Sequence, residues 1–401
     1  MIRYRAAWIL PIAAAPTRGG VVTVDGGRVL TVSTDDEPLA ASRDVETVDL
    51  GDVAVLPGLV NAHTHLELSW MRGQIAPSES MPAWAQRLIA LRVEQRAEPR
   101  AAIAAAIAEA RTSGTALVGD VSNTLAADQL LGESPLAGAM FYELLGFNAT
   151  EPEQLVANTR EALDRLAPRT DWTRTIVPHA PYSVSPQLFR AIGKAAGNRP
   201  MSIHVGESGD EMTFLRHGTG AWRELLGRLG AWNDRWEPPG CGPVEYIDRL
   251  GLVNDRLMAV HGTQLADEEL RRLAAVSATL VTCPRSNRWT GAGTPPIERF
   301  YSSGVRVAIG TDSLASVEDL NLFGELAYAR HLAPHVPARR LLESATIAGA
   351  IALGFQKEFG TIESGKRAAL IAVRVPPGIG DVEEYLVSGL QPDAITWLAT
   401  E

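Results

Sequence analysis

The sequence predicts an α/β protein: a (β/α)8 TIM-like barrel carrying a small β-sandwich domain built from both chain ends. Three observations predict it. From about residue 56 to 355, short apolar segments alternate with stretches of helical periodicity, the pattern of repeated βα units around a parallel sheet. Both ends, residues 1–55 and 356–401, read instead as short strands broken by Gly and Asp turns. No G-x-G-x-x-G follows an early strand, which removes the main reason to prefer an open dinucleotide-binding sheet.

The strand candidates of the barrel, in order, are VLPGLVNAH, TALVGDV, GAMFYELLG, RTIVPHAP, MSIHVGES, RLMAVHG, ATLVTCP and VRVAIGTDS. Eight parallel strands close a barrel whose active groups sit at the C-terminal strand ends. Between them, AAIAAAIAEAR and ADEELRRLAAV carry helical periodicity, and the alanines of the first are strong helix formers. The N-terminal MIRYRAAWILPIAAAP has the outline of a secretory leader, with Arg3 and Arg5 ahead of a short apolar run. A first strand is the better reading, because Val21 to Val24 and Val29 to Val32 follow with a Gly26-Gly27 turn between them. Near the other end, GTIESGKRAALIAV also reads as strand and turn, so two distant segments make one small domain.

A length of 401 residues suits one large barrel and a small companion. Hydrophobic residues at 46% and charged residues at 21% exclude a disordered or fibrous chain. A net charge of -10 with no offsetting basic run argues against nucleic acid and anionic membrane as partners. No apolar stretch is long enough to span a bilayer. The expected partner is a small molecule, and a homodimer is compatible with the composition. Cys241 and Cys283 lack C-x-x-C spacing, so neither a disulfide framework nor a thiolate zinc site is indicated, and a cytoplasmic location is expected.

Of eight histidines, five (His63, His65, His179, His204 and His261) fall at or just past the end of a strand candidate. His63 and His65 are two apart, so on an extended strand both rings point to one side and can share a cation. Alone, H-x-H is a weak motif. Here other strand ends add His204 in SIHVGES and Asp312 in AIGTDS, giving three imidazoles and a carboxylate from three strands. That donor set suits one divalent metal ion, zinc first, with iron or manganese as alternatives. Such a cation lowers the pKa of water towards neutrality, which points to hydrolysis.

Glu207, three residues after His204, is placed for general acid–base work, and His261 for orienting the attacking water. Asp312 would also accept that water's proton. His179 faces the same cavity and can hydrogen-bond a substrate hydroxyl. Glu67 continues the inward alternation of His63 and His65, and Trp70 can stack on a heterocycle, so both are candidate substrate contacts. Taken singly, each polar residue is more often a satisfied core group; taken together they describe a site. His217, His331 and His335 lie in helical or loop contexts and read as surface residues. A non-catalytic barrel would be marked by lost ligands, and none is lost.

LPGLVNAHTH, HAPYSV, HVGES, VHGT, CPRSN and GTDSLAS resemble the amidohydrolase superfamily, in particular its aminohydrolase branch of nucleoside and cytosine deaminases. The resemblance extends to the small domain, where GKRAAL has Ala369 in place of the branch's usual aspartate. It implies one metal, usually zinc, on His63, His65, His204 and Asp312, with Glu207 and His261 catalytic and His179 at the ribose. RTIVPHAP has no lysine to bridge a second ion, which favours a mononuclear site and deamination. HTHLELS, HVGESGDE, CPRSNRWTGAGTPP and GTDSLAS look most like the 6-aminodeoxyfutalosine deaminases of the alternative menaquinone pathway. The implied reaction is water attack at C6, protonation of the ring nitrogen by Glu207 and loss of ammonia. Adenosylhomocysteine, methylthioadenosine, adenosine, guanine and cytosine deaminases and triazine-type chlorohydrolases are the alternatives. The first two usually have a lysine-leucine pair where this chain has Arg288 and Trp289, and an acidic substrate contact where it has Arg92, with Glu94 nearby.

Overall fold

The computed structural model describes residues 1–34, 45–94 and 99–399. Parts of the two segments assigned to the small domain, 35–44 and 400–401, lie outside the described residues. Strands β1 (Ile2–Ile9), β2 (Thr17–Asp25), β3 (Arg28–Thr34), β4 (Glu46–Asp49) and β5 (Val53–Pro57) come first. Eight further strands follow: β6 (Leu59–Thr64), β7 (Thr115–Ser122), β8 (Ala137–Leu144), β9 (Trp172–Pro178), β10 (Met201–Val205), β11 (Leu257–His261), β12 (Thr279–Thr282) and β13 (Arg306–Ile309). The last two are β14 (Leu370–Arg374) and β15 (Ile395–Trp397).

The two chain ends meet in one hydrogen-bonded sheet of order β15-β14-β5-β1-β2-β3, with β4 also on β1. Residues 2–9, the segment with the outline of a leader, form the strand at the centre of this sheet. β1 runs antiparallel to β2 from Ile2↔Val24 to Ile9↔Thr17, while β4 and then β5 pair in parallel with its other edge. The β2–β3 hairpin turns at Gly26 (φ 53°) and Gly27 (φ 73°), the left-handed pair that a tight two-residue hairpin requires. Tyr4, Ile9, Val22, Val24, Val55 and Leu370 enclose a core of their own between strands from both ends.

The barrel comprises two parallel arcs, β6-β7-β8-β9 and β10-β11-β12-β13. All residues of β6, β7, β10, β11 and β12 are buried, which is why these strands read as apolar runs rather than alternating ones. Two seams join the arcs. At one, the His204 amide donates to the His179 carbonyl at 3.0 Å; at the other, the Asp312 amide donates to the His63 carbonyl at 3.0 Å, beside an Asn61–Thr311 pair. Gly310 permits this second approach, since a Cβ there would come within 2.8 Å of His63. Both seams therefore run through residues expected at the metal.

One strand expectation is corrected. VLPGLVNAH is two strands in different sheets, because a Cβ on Gly58 would lie 2.7 Å from both Ala116 and Trp397, and the chain passes from the small sheet to the barrel there. The alanine-rich helix spans Arg100–Thr112, and the ADEELRRLAAV stretch forms Asp267–Ala275. Among the described residues no helix is long and apolar enough to cross a membrane.

Candidate metal centre and active-site cavity

His63 and His65 flank the end of β6, and their Nε2 atoms lie 3.2 Å apart. His204, on β10, and His261, ending β11, bring their rings within 5.0 Å and 5.7 Å of His63, centre to centre. Asp312 enters from just past β13, with Oδ1 3.6 Å from His65 Nε2. Two overlapping donor sets result, His63–His65–Asp312 and His63–His204–His261. His261 (φ 75°) and Asp312 (φ 62°) both hold left-handed backbone angles that non-glycine residues adopt at a cost, a strain that marks functional positions.

The electrostatics fit a cation. Burial first, and the neighbouring imidazoles after it, hold His63 and His261 well below the ordinary imidazole range. Burial likewise takes His204 down to about 3, and His179 to about 3 with His65 and Arg92 adding to the effect. These rings are neutral, the form that binds metal. His63 Nδ1 is buried without a hydrogen-bond partner. His204 Nδ1 sits 3.0 Å from the His179 carbonyl and so carries its proton there, leaving Nε2 as the ligating nitrogen. Ring nitrogens gathered beside a carboxylate form a donor set for one divalent ion, and His63, His65, His204 and Asp312 would hold it.

Glu207 is 2% exposed, and its Oε1 lies 3.6 Å from His261 Nε2. Burial, then Asp312 and Glu211, push its carboxyl well above the usual range, which favours the protonated form. Its backbone is fixed by Glu211, whose two oxygens accept from the Gly206 and Glu207 amides at 3.0 and 2.9 Å. Asp312 accepts from Ser286 Oγ at 2.6 Å and from the Ser313 amide at 2.7 Å. Asn287 Nδ2 meets His261 Nδ1 at 3.1 Å. Ser286, Asn287 and Glu211 were not singled out from the sequence; CPRSN is a recognisable string, but its partners are distant in the chain.

The metal candidates open into a cavity of about 410 Å³, a volume usual for a small-molecule site. His65, His179, His204, Glu207, His261 and Asp312 line it. Its outer wall is apolar, with Trp84, Leu88, Trp222 and Leu225, and carries Arg92.

Two expected substrate contacts do not line this cavity. β6 ends at Thr64 and a short 3-10 helix, Leu66–Met71, replaces the strand, so the alternation that aimed Glu67 inward stops before reaching it. Glu67 instead accepts from Ser122, Thr124 and the Asn123 and Thr124 amides, and pairs with Arg92. Trp70 packs in a side cluster with Leu68, Met71 and Ile75. Arg92, named from the sequence at a substrate-contact position, does line the cavity, whereas sequence reasoning passed over Trp84 and Glu143; Glu143 ends a strand and was open to the argument that found the histidines. His217, His331 and His335 are exposed, as expected.

Comparison with known proteins agrees with this geometry. A 5-methylthioadenosine/S-adenosylhomocysteine deaminase of Moorella thermoacetica is 29% identical over 398 residues, covering 94% of this chain and 88% of that protein. An aminodeoxyfutalosine deaminase of Deinococcus radiodurans is 30% identical over 370 residues, covering 87% of this chain and 84% of that protein. The crystal structure of an adenosine deaminase from Xanthomonas campestris with bound zinc matches with a TM-score of 0.84 at 26% identity, covering 100% of this chain and 91% of that one. The pattern of the amidohydrolase family runs through residues 54–394. The chain belongs to the amidohydrolase family, and it is a hydrolase of C–N bonds other than peptide bonds.

Proposed function

We propose that this chain deaminates a 6-aminopurine nucleoside, exchanging the exocyclic amine for oxygen, with aminodeoxyfutalosine as its substrate. The observation that carries the reading is the pairing of an imidazole and carboxylate donor set with a buried Glu207, whose carboxyl is pushed above its usual range, at one cavity. A divalent cation on His63, His65, His204 and Asp312, zinc by preference, lowers the pKa of water and stabilises developing negative charge. Water attacks C6 of the purine. Asp312, whose oxygens keep lone pairs beyond the bonds to Ser286 and Ser313, receives the water's proton. Glu207 gives its proton to the ring nitrogen and takes back the remaining proton of the C6 hydroxyl as the carbonyl forms, while His261, beside it, stabilises the charge developing on that oxygen. The proton held by Asp312 passes to the amine, which leaves as ammonia.

The apolar outer wall suits a nucleoside with a large apolar 5′ substituent, and Arg92 suits an anionic group on it. The Deinococcus radiodurans relative, an aminodeoxyfutalosine deaminase, supports the same substrate, and the proposal places the chain in menaquinone biosynthesis. S-adenosylhomocysteine and 5-methylthioadenosine form the second reading, favoured by the Moorella thermoacetica relative. The amino-acid end of the former carries an ammonium beside its carboxylate, and only the carboxylate suits Arg92. The test is ammonia release from aminodeoxyfutalosine, 5-methylthioadenosine, S-adenosylhomocysteine, adenosine, guanine and cytosine. The highest kcat/KM is expected for aminodeoxyfutalosine. A preference for the thioether nucleosides would replace that substrate, and ammonia from none would end the deaminase reading.

A further inference from the structure

The catalytic groups occupy only one side of the cavity. Glu207, His261 and Asp312 come from the ends of β10, β11 and β13, so the reacting C6 lies over that arc. The adjoining side, across the β9–β10 seam, is formed by the ends of β8 and β9, where Glu143 and His179 line the same space. Glu143 is 5% exposed and has no role in the chemistry above.

The surroundings of Glu143 fix it as an acceptor. Asn123 Nδ2 donates to Glu143 Oε2 and to its backbone carbonyl, both at 3.0 Å. The other face of the same amide is held by Arg92, which donates to Asn123 Oδ1 at 2.8 Å and leans on Glu67. Glu143 Oε1 lies 3.4 Å from His204 Nδ1, a nitrogen already committed to the His179 carbonyl. That oxygen keeps free lone pairs. His179 Nδ1 is bonded to Ser183 Oγ at 2.6 Å, which leaves Nε2 as the ring's remaining polar atom. The ligating atoms of Glu143, His179 and His204 lie within 4.8 Å of one another.

We propose that Glu143 is a specificity-determining residue that accepts a hydrogen bond from a sugar hydroxyl of the substrate, acting with His179 as a clamp for the ribose diol. A carboxylate can accept from a hydroxyl donor that an apolar wall cannot satisfy, so the site demands a ribonucleoside and disfavours deoxy analogues. Arg92, on the helix Met81–Glu94, holds Asn123 and through it sets the Glu143 carboxylate that β8 supplies. The inference rests on the deaminase reading.

The test compares the best ribonucleoside of the panel above with its 2′-deoxy and 3′-deoxy analogues, on wild type and Glu143→Gln. Wild type is expected to lose about 10-fold or more in kcat/KM on one deoxy analogue, chiefly through KM. Glu143→Gln is expected to bring ribo and deoxy substrates within about threefold of each other, with metal content unchanged. Equal use of all three sugars by wild type overturns the clamp. So does a variant that slows ribo and deoxy substrates alike and loses metal, which would make Glu143 only a prop for His204. If Glu143→Gln does not fold, Asn123→Ala, which frees Oε2, takes its place and must raise KM for the ribonucleoside alone. Ammonia from no nucleoside at all is a failure of the deaminase reading, not of the clamp.

Discussion

Glu207 lines one cavity with three of the four ligand candidates, His65, His204 and Asp312, but differs from all four in what its loss removes. Glu207→Gln keeps size and hydrogen bonding while ending the side chain's ability to hand over a proton. Turnover is expected to fall by about 100-fold or more, the usual worth of a positioned acid, with metal content by elemental analysis unchanged. Activity near wild type would remove the proton-transfer role. His63 is different: it is fully buried, and its ring stands within 6 Å of three others. His63→Ala is expected to purify without stoichiometric metal, and full occupancy in that variant would displace the site. At this scale the sequence was legible wherever a strand carried the residue to its end. It did not reach Glu67, where the period of two was extended past the last strand residue, Thr64, nor Trp70, whose ring packs in a side cluster that only the 3-10 helix creates.

Elements explain what single residues cannot. The helix Pro284–Thr290 starts immediately after β12 and binds two functional groups at once, Asp312 through Ser286 and His261 through Asn287. Arg285 anchors it: its guanidinium reaches Glu325 at 2.7 Å and Asp319 at 2.9 Å, and Glu325 is fully buried. In the sequence CPRSN was a string without a role, because its partners stand 26 to 40 residues away and only the barrel brings them together. Removing Arg285 strands a buried carboxylate. Arg285→Ala is therefore expected to lower stability by about 3 kcal/mol or more, read as a reduced urea midpoint. An unchanged midpoint would mean that water reaches Glu325 and the anchor is dispensable. The element boundaries were legible from periodicity and turn chemistry, as at the Gly26-Gly27 hairpin. The division of VLPGLVNAH between two sheets was not, because it depends on the distant Ala116 and Trp397 crowding Gly58.

On the scale of the whole molecule, the ligand candidates straddle the barrel's construction. His63 and His65 belong to the arc β6–β9, while His204 and Asp312 belong to the arc β10–β13. The seams at His179–His204 and His63–Asp312 are each narrow, with single backbone bonds at the site itself. A cation shared by all four residues would tie the arcs across both seams, and its binding energy would become folding energy for the barrel. Bound only by the folded state, an ion at 100 times its Kd adds about 2.7 kcal/mol. Chelation of the wild-type protein is expected to lower Tm by a few degrees, in proportion to that energy. The control is His63→Ala, which should melt below wild type and show no further loss with chelator. Calorimetry of both proteins, with and without chelator, separates the outcomes. An equal chelator response in the two would mean that the stabilising ion sits elsewhere, and no response in wild type would mean that the seams hold without a metal tie.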